Sequence, residues 1–142
     1  MKHQKIPTVA TAISALFLFA GTMANAEMLK FTAELNGASG VPPTDSAATG
    51  MVEVELDTEA KTVTWLVASE GLSGEPTASH IHGPASLTEA AGPQIDTMAT
   101  MEGSAPITGE QIADLTAGMY YYNIHTEKYP DGEIRGQLMA AK

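Results

Sequence analysis

The chain has 142 residues, with 7 basic against 17 acidic side chains and no cysteine. That length supports one hydrophobic core, which burial and hydrogen bonding must hold without disulfides. So acidic a balance repels polyanions and excludes nucleic acid and anionic lipid surfaces as partners.

The first element is a leader. Lys2 and Lys5 precede the apolar run "VATAISALFLFAGTMA", and "ANA" closes it just before Glu27, the order of a secretory signal peptide. Thr11, Ser14 and Thr22 interrupt the run, and it falls short of the roughly 20 residues that a spanning helix needs. Residues 1–26 are therefore expected to be removed, leaving 27–142 as a single periplasmic or secreted domain with no membrane anchor. That product carries five basic and 17 acidic residues, net −12 with histidines neutral. The acids suit solvated faces, and cation binding as well.

Strands follow. "LKFTAELN" sets Leu29, Phe31, Ala33 and Leu35 against polar neighbours, and "MVEVEL" sets Val52, Val54 and Leu56 against Glu53 and Glu55. A period of two turns one side of each strand to a core. "TVTWLVA" and "TASHIH" are the third and fourth strands. "TGEQIADLTAG" is the one helix: Thr108 caps it, Gln111 lies three residues on, Ile112 and Leu115 share a side, and Gly118 ends it. "MYYYNIHT" and "EIRGQLM" form a hairpin about "EKYPDG", where Pro130 and Gly132 supply the turn. The segments at 37–49 and 83–93 read as connecting loops. The expected fold is all-β, an antiparallel sandwich or barrel of immunoglobulin-like or superoxide-dismutase-like type with one short helix.

In the hairpin, Tyr120, Tyr122, Ile124, Ile134 and Leu138 take the core side, which leaves Tyr121, Asn123, His125, Glu133, Arg135 and Gln137 pointing outward. If Ile81 faces the core, His80 and His82 point outward too. Residues i and i+2 of a strand stand about 6.6 Å apart on one face, a span that two imidazoles can close onto one ion at about 2.0 Å bonds. His125 is the third imidazole of residues 27–142. The alternative is that each ring bonds a backbone group or carboxylate at a sheet surface, and both readings stand on the residues alone.

"FTAELNGASGVPPTDSAATG", "SHIHGPA" and "YYNIHTEKYPDGEIRGQL" together resemble the CHRD domain family, first defined in chordin and found also as single-domain exported bacterial proteins. The likeness covers nearly all of residues 28–140 in order. It implies an extracellular or periplasmic β-domain and leaves the activity open. A His-x-His strand is also similar to the copper-binding pair of copper-zinc superoxide dismutase, but three imidazoles cannot build that two-metal centre.

Imidazoles without thiolate suit copper, with zinc second. Met98 and Met101 are accessory candidates through their thioethers, Tyr121 and Asn123 as neighbours lining the patch, and Arg135 as a binder of anions or as half of a cross-strand ion pair. Glu127, Asp131 and Glu133 are candidate acceptors for a ring N–H at an exposed hairpin tip. There is no G-x-S-x-G elbow, phosphate loop or HExxH helix, so a catalytic role is the weaker expectation. The leading reading is an exported domain that binds copper, or possibly zinc, through His80, His82 and His125. An interaction or adhesion module with structural histidines, and a mononuclear copper redox enzyme, are the alternatives.

Overall fold

The computed structural model describes residues 26–142; apart from its last residue, the expected leader lies outside them. The strands are β1 (Met28–Asn36), β2 (Thr49–Asp57), β3 (Thr62–Glu70), β4 (Pro76–His82), β5 (Pro93–Asp96), β6 (Glu102–Pro106), β7 (Tyr121–Thr126), β8 (Ile134–Gln137) and β9 (Met139–Ala140), and α1 (Gly109–Thr116) lies between β6 and β7. All pairings are antiparallel, in the order β5-β4-β7-β8-β1-β2-β3-β6, with β9 beside β1. Two strands consecutive in the chain thus form the two ends of the sheet.

The segment between those ends nearly closes the barrel. Thr97 N donates to the Ser79 carbonyl at 3.0 Å and Ala99 N to Ser79 Oγ at 3.1 Å, while Val67 N donates to the Met101 carbonyl at 2.7 Å. Ser79 lies on β4 and Val67 on β3, so one short stretch bonds to both ends. Inside, the hydroxyls of Ser79, Thr97 and Tyr122 bond one another, which makes a polar seam affordable where the sheet does not quite meet.

The expected alternation fills the interior. Phe31, Ala33, Leu35, Val52, Val54, Leu56, Val63, Trp65, Val67 and Ile81 are all buried, as are Tyr120, Tyr122, Ile124, Ile134 and Leu138. Helix α1 forms where expected: Thr108 Oγ1 accepts from Gln111 N at 3.2 Å and Gln111 returns a bond to Thr108 N at 2.9 Å. Leu115 anchors it to the core and Gly118, at φ +74, ends it.

Three structural findings differ from the sequence expectation. The short strands β5 and β6 lie in a stretch to which the sequence assigned no strand; Gly103 of β6 lies against the Trp65 ring, where any Cβ would come within 2.3 Å of Cζ2. The strand expected at 133–139 is interrupted at Leu138 into β8 and β9. The outward side of β4, β7 and β8 is largely dry: His82, Tyr121, Asn123 and Arg135 are each at most 7% exposed. Alternation assigned these residues to a face correctly, but the loops on either side fold over that face and exclude water.

Candidate metal centre

Strand β4 delivers two imidazoles and β7 the third. In register, His80 lies opposite Asn123, His82 opposite Tyr121, and Ala78 opposite His125. This places His125 diagonally across from His80 on the same face, within reach of long side chains. Ile81 between the two histidines is fully buried, so both rings are held on the other side.

One ring nitrogen from each histidine lies within 4.8 Å of the others. Ring centroids are 5.3 Å apart for His80 and His82, 5.1 Å for His80 and His125, and 5.7 Å for His82 and His125. Three nitrogens bound to one ion at 2.0–2.1 Å stand about 3.3–3.6 Å from each other. The pair His80 Nδ1 and His125 Nε2, at 3.2 Å, already has nearly that separation. Closing the widest gap takes ring movements of roughly 1 Å, with no change of strand pairing.

Tautomers follow from the partners, because a carbonyl can only accept. His82 Nδ1–H donates to the Ala91 carbonyl at 2.9 Å and His125 Nδ1–H to the Pro130 carbonyl at 2.9 Å. In the neutral rings both Nε2 atoms therefore carry bare lone pairs. His82 Nε2 is buried without any partner. Without an ion, His125 Nε2 accepts the proton of His80 Nδ1; ligation through this pair requires the other His80 tautomer, with the proton on Nε2, which lies 3.9 Å from Asp96 Oδ1 of β5. Fixing Nδ1 on a carbonyl so that Nε2 points to an ion is the usual way a ligand ring is oriented. Backbone bonding of the rings, expected as the alternative to ligation, is thus present at two of them and leaves the Nε2 atom of each unprotonated.

Burial favours the neutral form of His82 and His80. Burial, foremost, pushes His82 down to about 4, with the charges of its neighbours adding and the Ala91 hydrogen bond opposing. Burial and then His125 lower His80, against a raising influence from Asp96. Neutral imidazole is the metal-binding form.

The enclosing loop follows from "HGPA". Gly83, at φ +150, passes so close to Tyr120 that a Cβ would meet its ring at 2.3 Å, and no other residue combines that conformation with that approach. The loop then turns back over the face. Tyr121 stacks on His82 with centroids 4.9 Å apart, and its hydroxyl bonds both the amide and the carbonyl of Ala91. Gln137 Nε2 donates to the Ala85 carbonyl.

Among the described residues, Arg135 is not half of the expected cross-strand ion pair. Its Nη atoms donate to the carbonyls of Glu89 at 2.8 Å and Ser86 at 3.0 Å, its guanidinium lies 3.5 Å over the Tyr121 ring, and among the described residues it makes no salt bridge. Glu133 is a second correction, being 1% exposed. It accepts from Ser46 Oγ, from Ser73 N and Oγ, and from Thr126 Oγ1. Glu127 and Asp131 are exposed as expected of a solvated hairpin tip, and the Pro130 carbonyl, rather than one of these candidate acids, takes the His125 proton.

Met98 and Met101 are 69% and 74% exposed, and Met101 lines a shallow depression with Ser79, Tyr122 and Ile124, on the side of the sheet opposite the histidines. The sequence reading missed Asp96 because β5 was not recognised as a strand, and it missed the Ala91 and Pro130 carbonyls because backbone acceptors have no residue signature. With this geometry established, the sequence model of the CHRD domain matches residues 31–138. No curated protein and no solved structure matches the chain.

Proposed function

We propose that this chain, which belongs to the CHRD domain family, is an exported protein that binds one metal ion, copper before zinc, through His80, His82 and His125. The observation that carries the reading is the buried, unpartnered Nε2 of His82 beside two other ring nitrogens within 4.8 Å. A buried polar atom without a partner is costly, and an ion supplies the partner that the protein does not. Copper ranks first because three imidazoles suit it and its complexes are the more stable of the two. Export rests on the leader read in residues 1–26. With no nucleophile or cofactor loop in view, the role is binding or trafficking of the ion rather than turnover.

The test is titration of chelator-treated protein with Cu(II) and Zn(II) by calorimetry, on wild type and on His80→Ala. Wild type should take up one equivalent, and the variant should lose at least about tenfold in affinity. Equal affinity in the two proteins overturns the site. Mass spectrometry of the exported chain should give an N-terminus at Glu27; an intact leader in the membrane fraction overturns export.

A further inference from the structure

Beside the histidines, a cavity of about 580 Å³ opens between the turn Lys128–Gly132 and the loop Gly40–Asp45. That is the size range of small-molecule sites. Its floor is made by His82, Tyr121, Asn123 and Arg135, all at most 7% exposed. An ion would satisfy His82. Two features of the floor remain unexplained by it.

The first is Asn123. Its Nδ2 donates to the Asp131 carbonyl at 3.3 Å, which orients the amide and leaves Oδ1 buried with no partner. Gly132 lies against the amide so closely that a Cβ there would come within 2.3 Å of both Oδ1 and Nδ2, so the amide is clamped in place. The second is Arg135, paired in register with Asn123. Two carbonyls and a tyrosine ring occupy part of its donor capacity, but no carboxylate among the described residues neutralises it. A guanidinium has five N–H donors, and a buried charge without a counter-charge is expensive. Asp45 and Asp131 also line the cavity, but both are exposed at its rim, and Asp45 is bonded to the Tyr129 hydroxyl. Val41, Pro42 and Tyr129 give the cavity an apolar wall.

We propose that this cavity binds a small carboxylic acid that carries an amine or hydroxyl on the adjacent carbon and an apolar side group. The carboxylate pairs with Arg135, the adjacent donor bonds Asn123 Oδ1, and the side group packs on Val41, Pro42 and Tyr129. Asn123 and Arg135 are a directly opposed cross-strand pair and line one floor, so an acceptor and a cation face the same bound molecule. Neither Asn123 nor Arg135 is needed to hold the ion, so the site stands without it.

The experiment is calorimetry of chelator-treated wild-type protein with phenylalanine, phenyllactate, phenylpropionate and acetate. Phenylalanine or phenyllactate should bind at least about tenfold more tightly than phenylpropionate, which lacks the donor, and acetate more weakly still. A preference for phenylalanine assigns the amine class, and one for phenyllactate the hydroxyl class. Arg135→Lys should weaken the best ligand by about tenfold through loss of the planar fork. Equal binding of phenylpropionate and phenyllactate, or no binding of any of the four at millimolar concentration, overturns the inference. If copper fails to bind but phenyllactate binds, only the metal reading falls; the reverse result removes this inference and leaves the metal.

Discussion

His82→Ala removes a ring that is 7% exposed, donates to the Ala91 carbonyl and stacks on Tyr121. The Ala91 carbonyl keeps the Tyr121 hydroxyl, but one hydrogen bond and the packing of a buried ring are lost, so the metal-free protein should lose about 1–3 kcal/mol. His125 is half-buried, and water can replace its ring at the Pro130 carbonyl. His125→Ala should therefore stay within about 1 kcal/mol of wild type. Both variants should lose the proposed ion. Ile81→Ala, between the two β4 histidines and fully buried, should cost about 2–5 kcal/mol through its cavity while the folded fraction still binds metal. Urea denaturation of the three metal-free variants, paired with copper titration, separates these outcomes; equal destabilisation by His82→Ala and His125→Ala would contradict the enclosure of His82.

At the scale of elements, Glu133 joins pieces that lie far apart in the chain. Its carboxylate ties Ser46, Ser73 and Thr126 to the start of β8. Glu133→Gln keeps an oxygen for the Ser73 amide, and the hydroxyls can rotate to meet the new NH₂, so only the charge-assisted share is lost. The expected cost is about 1–2 kcal/mol. Glu133→Ala leaves the Ser73 N–H with nothing and should cost more; hydrogen exchange at Ser46 and Ser73 should quicken in both variants, and unchanged exchange would rule out the tie. Nothing in "GEIRGQ" announced this, because a Glu on an outward position is ordinarily solvated. Strands β1, β2, β3 and β7 were legible since apolar residues recur at every second position. The four residues of β5 and five of β6 contain Pro, Gly and few apolar side chains, and only pairing with β4 and β3 makes them strands. The histidine pair was legible from its spacing on one strand. That β7 lies beside β4, across 38 intervening residues, is a property of topology, and the carbonyls that orient the rings could not be read from side-chain types at all.

For the whole molecule, pH acts through buried groups that the folded state keeps from taking up protons. The unfolded chain protonates His82 near 6.5, whereas the folded protein holds it to about 4. Below 6.5 the unfolded state therefore binds more protons, and stability falls as pH drops from about 6.5 toward 4. His80 is lowered in the same direction. Glu133 adds a second loss at lower pH: burial would raise it, but the hydrogen bonds from Thr126, Ser46 and Ser73 outweigh that and hold it below 4.5, so its contribution disappears as the carboxylate is protonated. Relief of the repulsion among 17 acids works the other way, but those charges are mostly on screened surfaces. His82 alone should account for about 2–3 kcal/mol between neutral pH and pH 4. The check is urea denaturation of the metal-free protein at pH 7, 6 and 5, repeated on His82→Gln. Wild type should lose stability at each step, and the variant, less stable at pH 7, should show a clearly flatter profile because its amide does not titrate. A wild-type slope retained in full by His82→Gln would mean that the enclosed imidazole is not what couples this fold to acid.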